Sequence, residues 1–225
     1  MRAGVEACDD GNGDNEDNCS TNCRRVARSV RLAAGALIQV DWSGRLPTDN
    51  PDNLTIELWV KRHSDQDGHN YIVNGLHSNS TGPVWVAGGD VPADGEWHHF
   101  ARVYERGSNQ QRLYRDGVLL DTRAFNAGGC CGWQPNILPP RGMFIGGGGN
   151  QDRPVDCSVA GVRVSNVARY SGNAYSVPRV HVSDDQTLVL LPLVDGQVPD
   201  VDLGPLEIPI RQVNGNGQVG EFHDN

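Results

Sequence analysis

The run LTIELWV, residues 54–60, constrains the chain more than any other stretch. Successive side chains of a β-strand point to opposite faces. Leu54, Ile56, Leu58 and Val60 therefore share one face, and Thr55, Glu57 and Trp59 take the other. The same period of two recurs in GALIQVDW, where Ala36, Ile38, Val40 and Trp42 alternate with Leu37, Gln39 and Asp41. MFIGG, AGVRVS and TLVLLPLV supply further strands, and RLYRDGVLL reads as a hairpin because Asp116-Gly117 suits a two-residue turn with positive φ. Short strands separated by Gly, Pro, Asn and Asp predict an all-β, two-sheet antiparallel β-sandwich. The longest helical candidate, SNVARYSGNAYS, is interrupted by Gly172.

Residues 8–23, CDDGNGDNEDNCSTNC, cannot build a core, because they contain no Leu, Ile, Val or aromatic side chain. Such a segment must be held by bridges, by an ion or by the next domain. The chain is thus divided into an acidic cysteine-rich segment, 1–26, and a sandwich with a C-terminal tail, 27–225. Asp10, Asn12, Asp14 and Asp17 set carboxylate and amide oxygens at close spacing, which suits Ca2+, a hard cation that takes six to eight oxygens. The stretch is not an EF-hand, since Asn15 and Thr21 stand where that loop needs Gly and Glu. The other reading is a solvated acidic loop.

The six cysteines are Cys8, Cys19, Cys23, Cys130, Cys131 and Cys157. Cys19 and Cys23 have the spacing of half a zinc knuckle, but no second half follows, so disulfides are expected, and with them an oxidising, extracellular or cell-surface location. Full internal pairing would require an odd number of bridges between the N-terminal three and the other three. The expected local bridge joins Cys157 to Cys130 or Cys131, and the remaining one of that pair reaches back to staple the N-terminal segment. The alternative leaves one free thiol in each group.

Residues 96–104, EWHHFARVY, place two histidines side by side. On a strand they face opposite ways and cannot share an ion without a bulge. His99 alternates with Trp97, Ala101 and Val103 on a face that reads as buried, so it is expected to be an interior histidine with a hydrogen-bonded ring rather than a metal ligand. His98 shares its face with Phe100, Arg102 and Tyr104.

LTIELWVKR, DGEWHHFARVY, QRLYRDGVLLDT, MFIGGG and VAGVRVSNVARY follow one another in an order that resembles the laminin G-like, concanavalin A-like jelly-roll family of bacterial surface proteins. The similarity runs over about residues 30–195. It implies a jelly-roll sandwich that binds glycans or proteins, often with calcium. Residues 8–23 are similar to half of the CDDGN-type cysteine-rich repeat of myxobacterial secreted proteins.

Catalytic signatures are lacking. Related jelly-roll glucanases carry E-x-D-x-E on one strand, which sets two carboxylates about a glycosidic bond. Neither that motif nor H-E-x-x-H nor G-x-S-x-G occurs. Asp94 and Glu96 are the nearest acid pair, at a strand start. IGGGGN lacks the Lys-Ser/Thr of a phosphate loop and reads as a strand end. No apolar run approaches the ~20 residues of a membrane-spanning helix, and the opening MRAGVEACDD lacks the apolar stretch of a signal peptide. The net charge of −9, with acids gathered at both ends, disfavours nucleic acid as a partner. Trp133, in the loop NAGGCCGWQPNILPP, offers an apolar face on which a sugar ring could stack. The expectation is a non-catalytic extracellular recognition or adhesion module for glycan or protein. A structural subunit of a filament, coat or virion surface, capable of self-association, is the first alternative, and a polysaccharide-active enzyme is the second.

Overall fold

The computed structural model describes residues 27–33, 35–42, 45, 52–64, 71–75, 84–87, 90–124, 142–147, 154–193, 202–213 and 218–222. The strands are β1 (Ala27–Leu32), β2 (Leu37–Val40), β3 (Asn53–Arg62), β4 (Tyr71–Gly75), β5 (Val84–Ala87), β6 (His98–Glu105), β7 (Gln110–Arg115), β8 (Val118–Ala124), β9 (Met143–Ile145), β10 (Cys157–Ser165), β11 (Thr187–Leu191), β12 (Ile210–Val213) and β13 (Gln218–Phe222). They form two antiparallel sheets. One runs β13-β1-β10-β3-β6-β7-β8, with β11 also paired to β10, and the other runs β12-β2-β9-β4-β5. No α-helix occurs among the described residues, and SNVARYSGNAYS is an irregular connection. Nor is any described helix long and apolar enough to cross a membrane.

The alternation read in the sequence builds the interior. Leu54, Ile56, Leu58 and Val60 of β3, with Phe100 and Tyr104 of β6, meet Ile38, Val40, Trp42, Ile72, Met143 and Ile145 from the opposite sheet in one apolar cluster. Each such side chain removed from water contributes about 1.5–3 kcal/mol. The hairpin between β7 and β8 turns at Asp116 (φ 50°) and Gly117 (φ 76°), as two-residue turns of this type require. Glycine is needed at 117 for a second reason, since a Cβ there would lie 2.3 Å from the Tyr175 carbonyl oxygen.

Strand β10 carries a bulge. Its register against β3 shifts between Ala160 and Arg163, at Gly161, whose φ is +52°. The extra residue changes the parity of the strand. Cys157 and Val159 face the interior before the bulge, and Val162 and Val164 face it after. Arg163 is thereby turned to the outer face, directly opposite Glu57 of β3.

The expectation of a bridged Cys157 requires correction, because Cys157 is a free thiol. Its side chain points into the sandwich interior, among the apolar cluster, and burial pushes its pKa up to about 12. The other five cysteines lie outside the described residues.

Candidate functional site

The outer face of the eight-stranded sheet should meet water, yet its centre is dry. Glu57 and His99 are both fully buried. The irregular connection between β10 and β11, residues 166–186, lies over them and is tied to the outward side chains. Thr55 Oγ1 donates to the Val167 carbonyl at 2.6 Å and accepts from the Arg169 amide at 3.0 Å. Trp59 Nε1 donates to the Pro178 carbonyl, Arg163 to the Val182 carbonyl, and the Tyr114 hydroxyl to the Gly172 carbonyl. Tyr170 and Tyr175 stack at 3.6 Å and close over a small apolar cluster that includes Ala101, Val103 and Tyr114.

Beneath this strap three titratable side chains converge. Glu57 comes from β3, His99 from β6, two pairs further along the ladder, and His181 from the strap. His99 Nε2 and His181 Nε2 are 3.1 Å apart. Glu57 Oε2 lies 3.3 Å from His181 Nε2 and 3.5 Å from His99 Nε2. All three residues are buried, and their donor atoms form a cluster able to hold a metal ion.

The surrounding groups fix each side chain. Arg163 Nε donates to Glu57 Oε1 at 2.7 Å, and the Tyr170 hydroxyl donates to Oε2 at 2.6 Å. Arg169 Nε stands 3.8 Å from Oε1 and donates to Ser165 Oγ, while Nη2 of the same guanidinium pairs with Asp184 at 2.7 Å. Nδ1 of His181 lies 2.6 Å from the Gly161 carbonyl oxygen. A carbonyl can only accept, so this nitrogen carries a proton. The bulge aims that carbonyl, and an added Cβ at Gly161 would press within 3.2 Å of the His181 ring. Nδ1 of His99 is 2.8 Å from the Tyr175 hydroxyl, which can take either role. Trp59 meets the His99 ring edge to face at 5.2 Å.

Burial alone would raise the pKa of Glu57, but the two histidines and Arg163 outweigh it and hold the carboxyl well below its ordinary value. Burial lowers His99, against the pull of Glu57, and favours its neutral ring. His98 behaves oppositely. It lies near the surface between Asp116 (2.7 Å) and Asp94 (3.1 Å), and these carboxylates overcome its partial burial and raise its pKa.

His99 is therefore interior and hydrogen-bonded, as its alternation predicts, but its cavity is on the outer side of one sheet rather than between the two. Asp94 sits in an exposed turn and accepts from the Glu96 amide. Asp10, Asn12, Asp14, Asp17 and Trp133 lie outside the described residues. Sequence reasoning missed Glu57 and His181. A lone acid on a strand otherwise filled with apolar residues was a usable signal for Glu57, whereas nothing in PRVHVS marks His181.

The family model of laminin G type, described as the concanavalin A-like lectin/glucanases superfamily, matches residues 38–172. The chain belongs to this superfamily. The match extends from β2 to the strap, so it includes Glu57 and His99 but ends before His181. Among curated proteins no sequence match was found. Solved structures with a similar fold include a provisionally assigned carbohydrate binding protein from Bacteroides ovatus, at 16% identity and a TM-score of 0.59, covering 89% of this chain. The chain spans 62% of that protein's length. Looser matches are a heptameric SAP-like pentraxin from Limulus polyphemus (12% identity, TM-score 0.44, 87% of this chain and 94% of that one) and the sialidase of Trypanosoma rangeli (15%, 0.37, 54% and 21%). At those scores the last two carry no argument.

Proposed function

We propose that this domain is a non-catalytic carbohydrate-recognition module that acts outside the cell or at its surface. Its membership of a lectin and glucanase superfamily supports the reading, together with a fold shared with a protein assigned to carbohydrate binding. The state of Glu57 supports the non-catalytic side of this reading. Its carboxylate is sealed from solvent and engaged by Arg163 and Tyr170. A glycosidase needs two carboxyl groups that reach a sugar from either side, and a sealed acid cannot act on a polymer. Sugar contact would then fall to loops at the ends of the sandwich, where ligand choice resides in such folds. In this reading Trp133 is the stacking platform, and calcium on Asp10, Asn12, Asp14 and Asp17 supports the ligand-binding form.

A glycan array probed with and without calcium tests the proposal. Binding to a defined glycan class that Trp133→Ala abolishes without loss of folding is the expected result. Release of reducing sugar from the bound polysaccharide would place the chain among the enzymes. An empty array combined with self-assembly in light scattering would make it a structural subunit.

A further inference from the structure

We infer that Glu57, His99 and His181 form a binding site for one zinc-class divalent metal ion, which pins the β10–β11 strap to the outer face of the sheet. The inference is independent of the glycan reading.

Three lone-pair-bearing atoms meet with separations of 3.1, 3.3 and 3.5 Å. A tetrahedral ion bound at roughly 2.0–2.1 Å by imidazole nitrogen and carboxylate oxygen has ligand-to-ligand edges of about 3.3–3.4 Å, and the three separations bracket that value within about 0.2 Å. Hydrogen bonds account for them less well. Protein N–H···O bonds cluster at about 2.7–3.2 Å, and both carboxylate contacts exceed that range.

The Gly161 carbonyl accepts from His181 Nδ1, which directs the other ring nitrogen, Nε2, at Glu57 Oε2 and His99 Nε2. An electrophile, either a proton or a metal ion, lies between His181 Nε2 and Glu57 Oε2, which are 3.3 Å apart. One proton on His99 Nε2 can serve the 3.1 Å contact to His181, but it leaves the carboxylate contacts long. A metal ion satisfies all three atoms together.

Metal-binding imidazoles characteristically donate their other N–H to a carbonyl or similar acceptor, and ligating carboxylates are themselves hydrogen-bonded. His181 has the Gly161 carbonyl, His99 has the Tyr175 oxygen, and Glu57 has Arg163 and Tyr170. Arg163 occupies Oε1, which leaves Oε2 as a single-oxygen ligand. Two imidazoles and one carboxylate suit zinc and its neighbours, whereas calcium takes oxygen ligands. This departs from the expectation that His99 is not a ligand.

The test uses the full chain and Zn2+. Chelator-treated protein is titrated with Zn2+, followed by elemental analysis, thermal melting and X-ray absorption at the zinc edge. The expected result is about one equivalent of zinc with nitrogen and oxygen neighbours, and a higher melting temperature than in chelator. Glu57→Gln and His181→Gln should each weaken binding at least tenfold. Tyr175→Phe, which removes only the acceptor behind His99, should weaken it by roughly 10–100-fold. No bound zinc, zinc with sulfur neighbours only (the N-terminal cysteines), or unchanged affinity in His181→Gln would overturn the inference. If the variants fail to fold, the coordination shell of the wild-type protein decides.

Discussion

Glu57 and Leu58 are consecutive residues of β3, and neither has any exposed surface. Leu58 is buried by the opposite sheet, among side chains that ask only for volume and apolar contact. Glu57 is buried by the strap, and every oxygen it carries has an assigned partner. One strand thus separates a tolerant interior from an exacting one. Apolar packing is non-directional and roughly additive in area, while a buried charge is stable only if its partners stay in place. The outer face of this sheet is accordingly the more fragile of the two, although it holds fewer buried side chains.

The comparison breaks most readily at Glu57. Glu57→Gln keeps the shape but removes the charge that Arg163 requires, and stability measured by denaturant unfolding in chelator should fall by about 3–5 kcal/mol. A loss no larger than that of a surface substitution would mean that the outer centre is as forgiving as the core. His99→Ala, measured in the same way, should cost about 1–3 kcal/mol through the buried hydrogen bonds it abandons. An unchanged unfolding midpoint would remove His99 from the structural account. Leu58→Met, a swap that conserves volume in the apolar cluster, should cost less than about 1.5 kcal/mol. If it equals Glu57→Gln, the contrast between the faces has no energetic basis.

The smallest effect concerns His63, at the end of this sheet, whose ring lies 2.7 Å from Ser158 Oγ. Partial burial, then the nearby Arg31 charge, lower its pKa from the ordinary 6.5. The unfolded chain therefore binds this proton more readily than the folded one, and stability rises with pH across the interval between the two values. The contribution is present at neutral pH and above, and it is lost as pH falls from about 6.5 towards the folded value. Unfolding curves at pH 8 and pH 5 should show a smaller acid-induced loss in His63→Gln than in wild type. An equal loss would assign the pH response to other groups.

The strands were legible because period-two alternation is a local property. Leu54 to Val60 declare one buried face whatever lies opposite, and Asp116-Gly117 declares its turn from backbone sterics alone. The burial of His99 was legible for the same reason. Alternation cannot say which of two faces looks between the sheets, so the site of that burial was not. Cys157 was misread as a bridge partner because cysteine counting takes no account of the direction in which a side chain points.

Sequence by itself determined that this protein is an antiparallel β-sandwich of the concanavalin A-like kind, with an interior histidine in EWHHFARVY. Only the tertiary structure decided that Glu57, His99 and His181 meet. A residue 82 positions from His99 comes within hydrogen-bonding distance of it because the bulge at Gly161 reverses the parity of β10, turns Arg163 outward and points one carbonyl at the His181 ring. The strap then closes over them through bonds to Thr55, Trp59 and Arg163. These are long-range placements of polar groups, each favourable only once the others are fixed, and no local pattern in the sequence can encode them.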